Sequence, residues 1–377
     1  MTILADENMA ALVPLFTPLI DQYGPIKTLP GRDINAQTVD ADTRILLVRS
    51  VTKVNAALLD AAPNLTFVGT ATIGTDHLDI EALNQRQIHW SSAPGCNADG
   101  VAEYVLTALL HLAEQHQQQL THKTIGIVGL GNTGSALSQR LTALGCQVMR
   151  CDPPQAALGA SGSWRSIDEL INQCDVISLH VPLTQDTFHL LDYQRLLLFK
   201  KDGWLINASR GEVVDNRALI QVKQQHPKLQ CVLDVWENEP TPLPETVLVA
   251  TLATPHIAGY SVEGKVRGTR QLLQAVAPFC SVPSIQALLT QPALPPKTIT
   301  APIQQADLLK LCTDVYDLAL EDKRFRQALP SGFDARRKAT LTRREFKAQP
   351  LNVADSQLAN LLRQLGFTII ESNKNGL

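Results

Sequence analysis

The chain has 377 residues, 45% of them hydrophobic and 18% charged, with a net charge of −3. That length predicts about two or three domains with full cores, and the composition is that of an ordinary globular protein. The near-neutral charge gives no reason to expect nucleic acid or an anionic membrane as a partner. The opening Met1-Thr2-Ile3-Leu4-Ala5-Asp6 turns acidic at once and does not read as a secretory signal. The longest apolar run, 101–113, includes Glu103 and His111 and falls short of the ~18 residues that a membrane span requires. The seven cysteines are odd in number, widely spread and without a CxxC pair. This disfavours a disulfide framework and a structural zinc site, so the expectation is a cytoplasmic protein with no metal.

Short strand patterns at 2–5, 45–48, 66–70 and 88–91 alternate with helical stretches at 10–20 and 55–61. The alternation predicts an α/β layer with a mostly parallel sheet. Residues 98 to about 120 read as one long helix, because Val101, Ala102, Val105, Leu106, Leu109, Leu112 and Ala113 recur at helical spacing behind a possible cap, Asn97. Further strand patterns at 125–128, 148–151, 176–179, 204–206, 231–234 and 248–253 predict a doubly wound nucleotide-binding sheet. A helix over 262–279 is expected to run back along the first domain. Pro283, Pro292, Pro295, Pro296 and Pro302 mark a linker. An amphipathic helix at 306–320, a basic stretch at 336–347 and a helix–strand pair at 356–365 and 368–370 complete the chain. The expected domains are 1–97 with 260–285, then 98–259, then a small C-terminal α+β domain at 286–377.

The turn Gly129-Leu130-Gly131-Asn132-Thr133-Gly134 joins an apolar strand to a helix. In that setting Gly129 makes the tight turn, Gly131 lets backbone approach a pyrophosphate, and Gly134 lets helix and strand pack closely. The helix start, at Asn132 and Thr133, then offers N–H groups to phosphates. Asp152 ends the next strand, about where a Rossmann-type domain places its ribose-binding acid. Pro153-Pro154 follows where an arginine would favour NADP, so the predicted cofactor is NAD. Arg150 shares a face with Asp152 by strand alternation, which would let the two pair.

Arg210, Glu239 and His256 each stand where a buried apolar segment ends. Arginine offers a planar fork that suits a carboxylate and stays charged at any working pH. Histidine exchanges a proton near neutral pH, and an adjacent carboxylate orients its ring. Glu237 and Glu239 are both placed to be that carboxylate, and spacing does not choose between them.

These residues resemble the D-isomer-specific 2-hydroxyacid dehydrogenases. The resemblance implies Arg210, Glu239 and His256 as the catalytic set, a flavodoxin-like substrate domain, Asp234 at the nicotinamide end and Gly259 close to the cofactor. Val181 stands where such enzymes often have threonine, so a cofactor contact there would run through backbone or packing. The segments Val48-Arg49-Ser50-Val51-Thr52-Lys53, Gly69-Thr70-Ala71-Thr72 and His256-Ile257-Ala258-Gly259-Tyr260 are similar to one branch of the family, as are tail segments around Tyr316 and Phe333. That branch implies a phosphorylated 2-hydroxy acid substrate contacted by Ser50, Thr72 and Tyr260, and a homodimer formed through the tail. Arg49 and Lys53 have the charge to hold the phosphate. The remaining readings are a related dehydrogenase acting on 3-phosphoglycerate or glycerate, and an NAD-sensing regulatory module.

Overall fold

The computed structural model describes residues 2–280, 292–300, 302–340 and 342–370. Pro283 and the stretch 281–291 of the expected linker, like the final residues 371–377, lie outside them. The chain divides into two compact units, Met1–Asn97 with Val262–Gln291 and Ala98–Ser261 with Pro292–Leu377.

The first unit is built on β1 (Thr2–Asp6), β2 (Lys27–Leu29), β3 (Thr43–Val48), β4 (Phe67–Thr70) and β5 (His89–Ser91). These pair in parallel in the order β2-β1-β3-β4-β5, the flavodoxin-like arrangement. A parallel strand covered on both faces reads as a continuous apolar run, and Ile45 to Val48 are at most 1% exposed. Alternation sends Ile3, Ile45 and Leu47 toward the helices Leu12–Tyr23 and Val262–Val276. Leu4, Leu46 and Val48 pack on the other face with Leu58, Leu59 and Leu83. Each buried leucine contributes about 2 kcal/mol.

The second unit carries β6 (Thr124–Val128), β7 (Gln147–Cys151), β8 (Val176–Leu179), β9 (Trp204–Asn207), β10 (Gln230–Leu233) and β11 (Leu252–Ala253). Their order is β11-β10-β9-β8-β6-β7, with every pairing parallel. The chain steps outward from β6 to β7 and then returns past β6 to β8, so the topological switch lies between β6 and β8. Crevices at such switch points are where open α/β sheets bind ligands.

The long helix is shorter than its periodicity predicts, Ala98–Gln115, because Gln117 turns left-handed at φ 53° and stops it. Asn97 is not its cap, since Asn97 Oδ1 is buried without a partner among the described residues. The expected strand at 248–253 is mostly the helix Pro244–Val249. Pro244 presets the first helical turn, and only Leu252–Ala253 remains extended.

The C-terminal segment adds β12 (Lys297–Ile299), β13 (Pro350–Val353) and β14 (Thr368–Ile370), parallel in the order β12-β13-β14. Its first helix divides into Gln305–Val315 and Leu318–Ala328, because Asp317 caps a new helix through the N–H of Leu320. This segment shares one core with the long helix: Leu308, Leu311, Cys312 and Leu362 pack with residues that include Val105 and Leu109. Buried Arg140 seals that junction, donating to Leu365 O at 3.1 Å and to Asp99 Oδ1 at 2.8 Å.

Candidate active site

The residues singled out in the second unit all follow the carboxyl ends of its strands. Gly129 follows β6, Val181 follows β8, Arg210 follows β9, Asp234 follows β10 and His256 follows β11. Since β9, β10 and β11 are neighbours, and neighbouring strands lie about 4.8 Å apart, Arg210, Asp234 and His256 are gathered along one short edge.

The glycine turn has the shape a pyrophosphate requires. A Cβ on Gly134 would lie 1.9 Å from Gly129 O, so only glycine permits this close packing. A Cβ on Gly131 would meet nothing within 4 Å, which leaves open space where the helix Asn132–Ala143 begins. No side chain caps that helix start, so its N–H groups suit an anion. Asp152 Oδ2 accepts from the N–H of Leu130 at 2.6 Å, tying β7 to the turn, while Oδ1 caps the next helix at Gln155 N. Arg150 does not pair with it and forms no ion pair among the described residues; its strand residue bridges to Trp164 instead. Val181 packs at the turn, its Cγ1 2.9 Å from where a Gly129 Cβ would be.

Arg210 is presented by a stiff turn. Asn207 Nδ2 donates to Arg210 O at 2.9 Å, and Asn207 Oδ1 accepts from the Ser209 N–H and hydroxyl. Gly211 has no room for a side chain, since a Cβ would lie 1.9 Å from Trp236 C. The Arg210 turn therefore rests on the backbone that leads to Glu239.

His256 Nδ1 lies 2.8 Å from Glu239 Oε2. Glu239 Oε1 accepts from the N–H of Trp236 at 3.0 Å. Glu237, the competing carboxylate, turns to His189 Nε2 at 2.6 Å instead. Burial pushes the Glu239 carboxyl upward, but the charge and hydrogen bond of His256, the charge of Arg337 and the Trp236 N–H outweigh it and hold the carboxyl below its usual range. The arrangement can keep a carboxylate on one ring nitrogen while the other, Nε2, exchanges a proton with a ligand.

The His256 loop is clamped from both sides. His256 itself takes a left-handed φ of 57°. Its N–H donates to Asp234 O at 2.6 Å, and the N–H groups of Ile257 and Ala258 donate to Asp234 Oδ1 and Oδ2 at 2.8 Å each. Thr254 Oγ1 donates to the same Oδ1 at 2.6 Å and is met by the Tyr104 hydroxyl. On the other side, Arg337 Nε donates to His256 O, and Arg343 Nη1 donates to Ile257 O and Ala258 O. The hydroxyl of Ser261 donates to buried Glu345 at 2.6 Å. Gly259 and Tyr260 follow on this loop, with Tyr260 N bonded to Ile257 O at 2.8 Å. Sequence reasoning places the histidine in the site but reads Arg337 and Arg343 only as members of the basic stretch; they stand more than 80 residues downstream of His256, and no spacing signal connects them.

In the first unit, Arg49 and Ser50 follow β3, and Thr72 follows its neighbour β4. Thr72 Oγ1 lies 2.7 Å from Thr70 Oγ1 and donates to Gly74 O at 3.0 Å. Ser50 is exposed. Arg49 donates to Asn8 O at 3.0 Å and stands 3.9 Å from the buried carboxylate of Asp6. Among the described residues His189, Asp215 and Glu237 form a loose cluster of metal-ligand type.

A parallel sheet with a glycine turn at its switch point and a carboxylate–histidine pair at its edge defines an NAD-dependent dehydrogenase of the 2-hydroxyacid class. The family model for the D-isomer specific 2-hydroxyacid dehydrogenase NAD binding domain matches residues 107–258. A second model, described as a domain of unknown function (DUF3410), matches residues 288–366. The chain is 48% identical to an erythronate-4-phosphate dehydrogenase of Shewanella baltica, over 98% of this chain and 99% of that protein. It is 49% identical to another of the same name from Shewanella loihica, over 98% and 99% respectively. Among solved structures it resembles the NAD-dependent formate dehydrogenase of Staphylococcus aureus in complex with NAD, at 25% identity and a TM-score of 0.62, covering 74% of this chain and 95% of that one. The chain belongs to the erythronate-4-phosphate dehydrogenases.

Proposed function

We propose that this chain oxidises 4-phospho-D-erythronate to (R)-3-hydroxy-2-oxo-4-phosphooxybutanoate with NAD, a step toward pyridoxal 5'-phosphate. The observation that carries this reading is the 2.8 Å contact between His256 Nδ1 and Glu239 Oε2 at the edge of an NAD-binding sheet; the relatives' name supplies the substrate.

NAD, when bound, supplies the hydride acceptor. The turn at Gly129, Gly131, Asn132, Thr133 and Gly134 would hold its pyrophosphate, with Asp152 at the ribose and Val181, Asp234 and Gly259 lining the nicotinamide side. Both carboxylate oxygens of Asp234 already accept from loop donors, so its part is to fix the loop beside that ring. Arg210 grips the substrate carboxylate through two N–H groups and so fixes the position of C2. His256 Nε2 takes the proton of the C2 hydroxyl while Glu239, through Nδ1, stabilises the imidazolium that forms. Ser50, Thr72, Tyr260 and Arg49 are assigned to the substrate's hydroxyls and phosphate.

The protein is further proposed to be a cytoplasmic homodimer joined through its C-terminal segment. All seven cysteines are buried and unpaired, which suits a reducing compartment. No helix among the described residues is long and apolar enough to cross a membrane. Sedimentation of the full chain should give twice its 41.1 kDa mass; a monomer mass at micromolar protein would remove the dimer.

The deciding experiment is NADH formation with 4-phosphoerythronate, 3-phosphoglycerate and D-glycerate compared side by side, with an electron acceptor present to turn over bound NADH. The highest kcat/KM is expected for 4-phosphoerythronate. Preference for either of the other acids would replace the reading with the related dehydrogenase, and absence of turnover on all three would favour the NAD-sensing module.

A further inference from the structure

The helix Phe333–Ala339 of the C-terminal segment delivers Arg337 to the catalytic loop of its own chain. Nε donates to His256 O at 3.2 Å, and the guanidinium lies over the Tyr260 ring, 5.1 Å from its centroid. The ring holds the guanidinium plane in place. A guanidinium has five N–H donors in a rigid fork, and Nε accounts for one. Among the described residues Arg337 makes no ion pair and no second hydrogen bond.

Its neighbours differ in that respect. Arg336 is gripped by both carboxylate oxygens of Glu321. Arg343 is buried and occupied by the carbonyls of Ile257, Ala258 and Gly100. Arg344 donates to Pro292 O. Arg49, the arginine suggested by sequence for the phosphate, has the buried Asp6 carboxylate facing it at 3.9 Å. Arg337 thus combines partial burial, a fixed plane, a place beside the proton-transferring histidine and an open pair of Nη groups.

We propose that Arg337 binds the phosphate of the substrate, making the C-terminal segment part of the specificity site of its own chain. The proposal rests on the phosphorylated substrate inferred above. Arg210 answers the carboxylate at one end of the substrate and Arg337 the phosphate at the other, each with the bidentate geometry that arginine offers to planar or tetrahedral oxyanions. The segment lies outside the NAD-binding domain model of the family, which matches residues 107–258, and is matched by a separate model over 288–366. What the segment brings to the loop is a cation whose Nη groups have no hydrogen-bond or ion-pair partner among the described residues.

The test compares the unchanged full chain with Arg337→Ala and Arg337→Lys on 4-phosphoerythronate and on unphosphorylated D-erythronate, with NADH affinity and melting temperature as controls for folding. Inorganic phosphate is titrated calorimetrically into each protein. For Arg337→Ala, KM for the phosphorylated acid should rise on the order of 100-fold, while KM for D-erythronate changes far less and any fall in kcat from the loosened loop is shared by both acids. Arg337→Lys should recover part of the loss, and phosphate heats seen with the unchanged chain should vanish in Arg337→Ala. A KM that rises equally for both acids, or for neither, would overturn the proposal, because loop support alone does not distinguish a phosphorylated acid from an unphosphorylated one. Should Arg337→Ala fail to fold, a Lys variant with unaltered KM overturns it equally. If the unchanged chain ignores 4-phosphoerythronate, the functional reading fails by itself; the phosphate titration then decides this one, and equal heats in chain and variant end it.

Discussion

Asp234 and Arg343 hold opposite sides of the same two residues. Asp234 accepts the N–H groups of Ile257 and Ala258 at 2.8 Å each, and Arg343 donates to the carbonyls of both. A backbone with its donors and acceptors both satisfied by buried charged groups has little freedom to move. His256, one residue earlier and in the left-handed region, inherits that rigidity.

Asp234→Ala would leave Thr254 Oγ1 and two loop N–H groups without their acceptor. Each buried unsatisfied donor costs about 1–3 kcal/mol. Denaturant unfolding should therefore show a loss of at least about 3 kcal/mol, accompanied by lower kcat. A midpoint equal to that of the unchanged chain would mean that the loop is held by other contacts.

The two glutamates near His256 should behave differently on replacement. Glu239→Gln and His256→Asn should each lower kcat by about 10²–10⁴-fold, the usual range for general-base catalysis, with NADH affinity intact. Glu237→Gln should retain most turnover, because Glu237 serves His189. Comparable losses from both glutamine variants would contradict the pairing described.

The glycine turn separates cofactor binding from folding. Gly131→Ala adds a methyl where nothing lies within 4 Å, so the melting temperature should hold while NADH affinity falls. Gly134→Ala collides with Gly129 O and should lower both. Fluorescence titration with NADH and a thermal melt of each variant provide the comparison; undiminished affinity in Gly131→Ala would place the pyrophosphate elsewhere.

His180 predicts a pH effect on stability. Burial lowers its pKa from an ordinary 6.5 to about 4. Between those values the unfolded chain takes up a proton that the native chain refuses, so stability falls as pH drops from about 6.5 to about 4. His180→Asn has no such titration and should show a shallower decline across that window in urea unfolding. Parallel curves for chain and variant would assign the acid sensitivity to other groups.

Much of this architecture is legible in residue order. The last helix and strand, Ser356–Leu365 and Thr368–Ile370, match the pattern read from sequence, because strong periodicity and a short Gly366 turn define both ends. The long helix ends earlier than its periodicity predicts, because nothing in the composition of 115–120 announces the left-handed Gln117. Most of the expected strand at 248–253 is helix or loop, because an apolar run of that length suits a helix as well as a strand. Only packing decided the matter, burying Val247 and leaving Leu248 77% exposed.

The amino-acid sequence by itself determined the chemistry available: a glycine turn after an apolar strand, an arginine, two candidate carboxylates and a histidine at strand ends. These are local facts, set by which residue follows which. It was tertiary structure that joined His256 to Glu239 rather than Glu237 and set Asp234 under the loop. The same packing brought Arg337 and Arg343 back onto that loop from the far end of the chain. Such contacts depend on where whole elements pack, and no interval along the chain encodes the distance between side chains that the fold draws together.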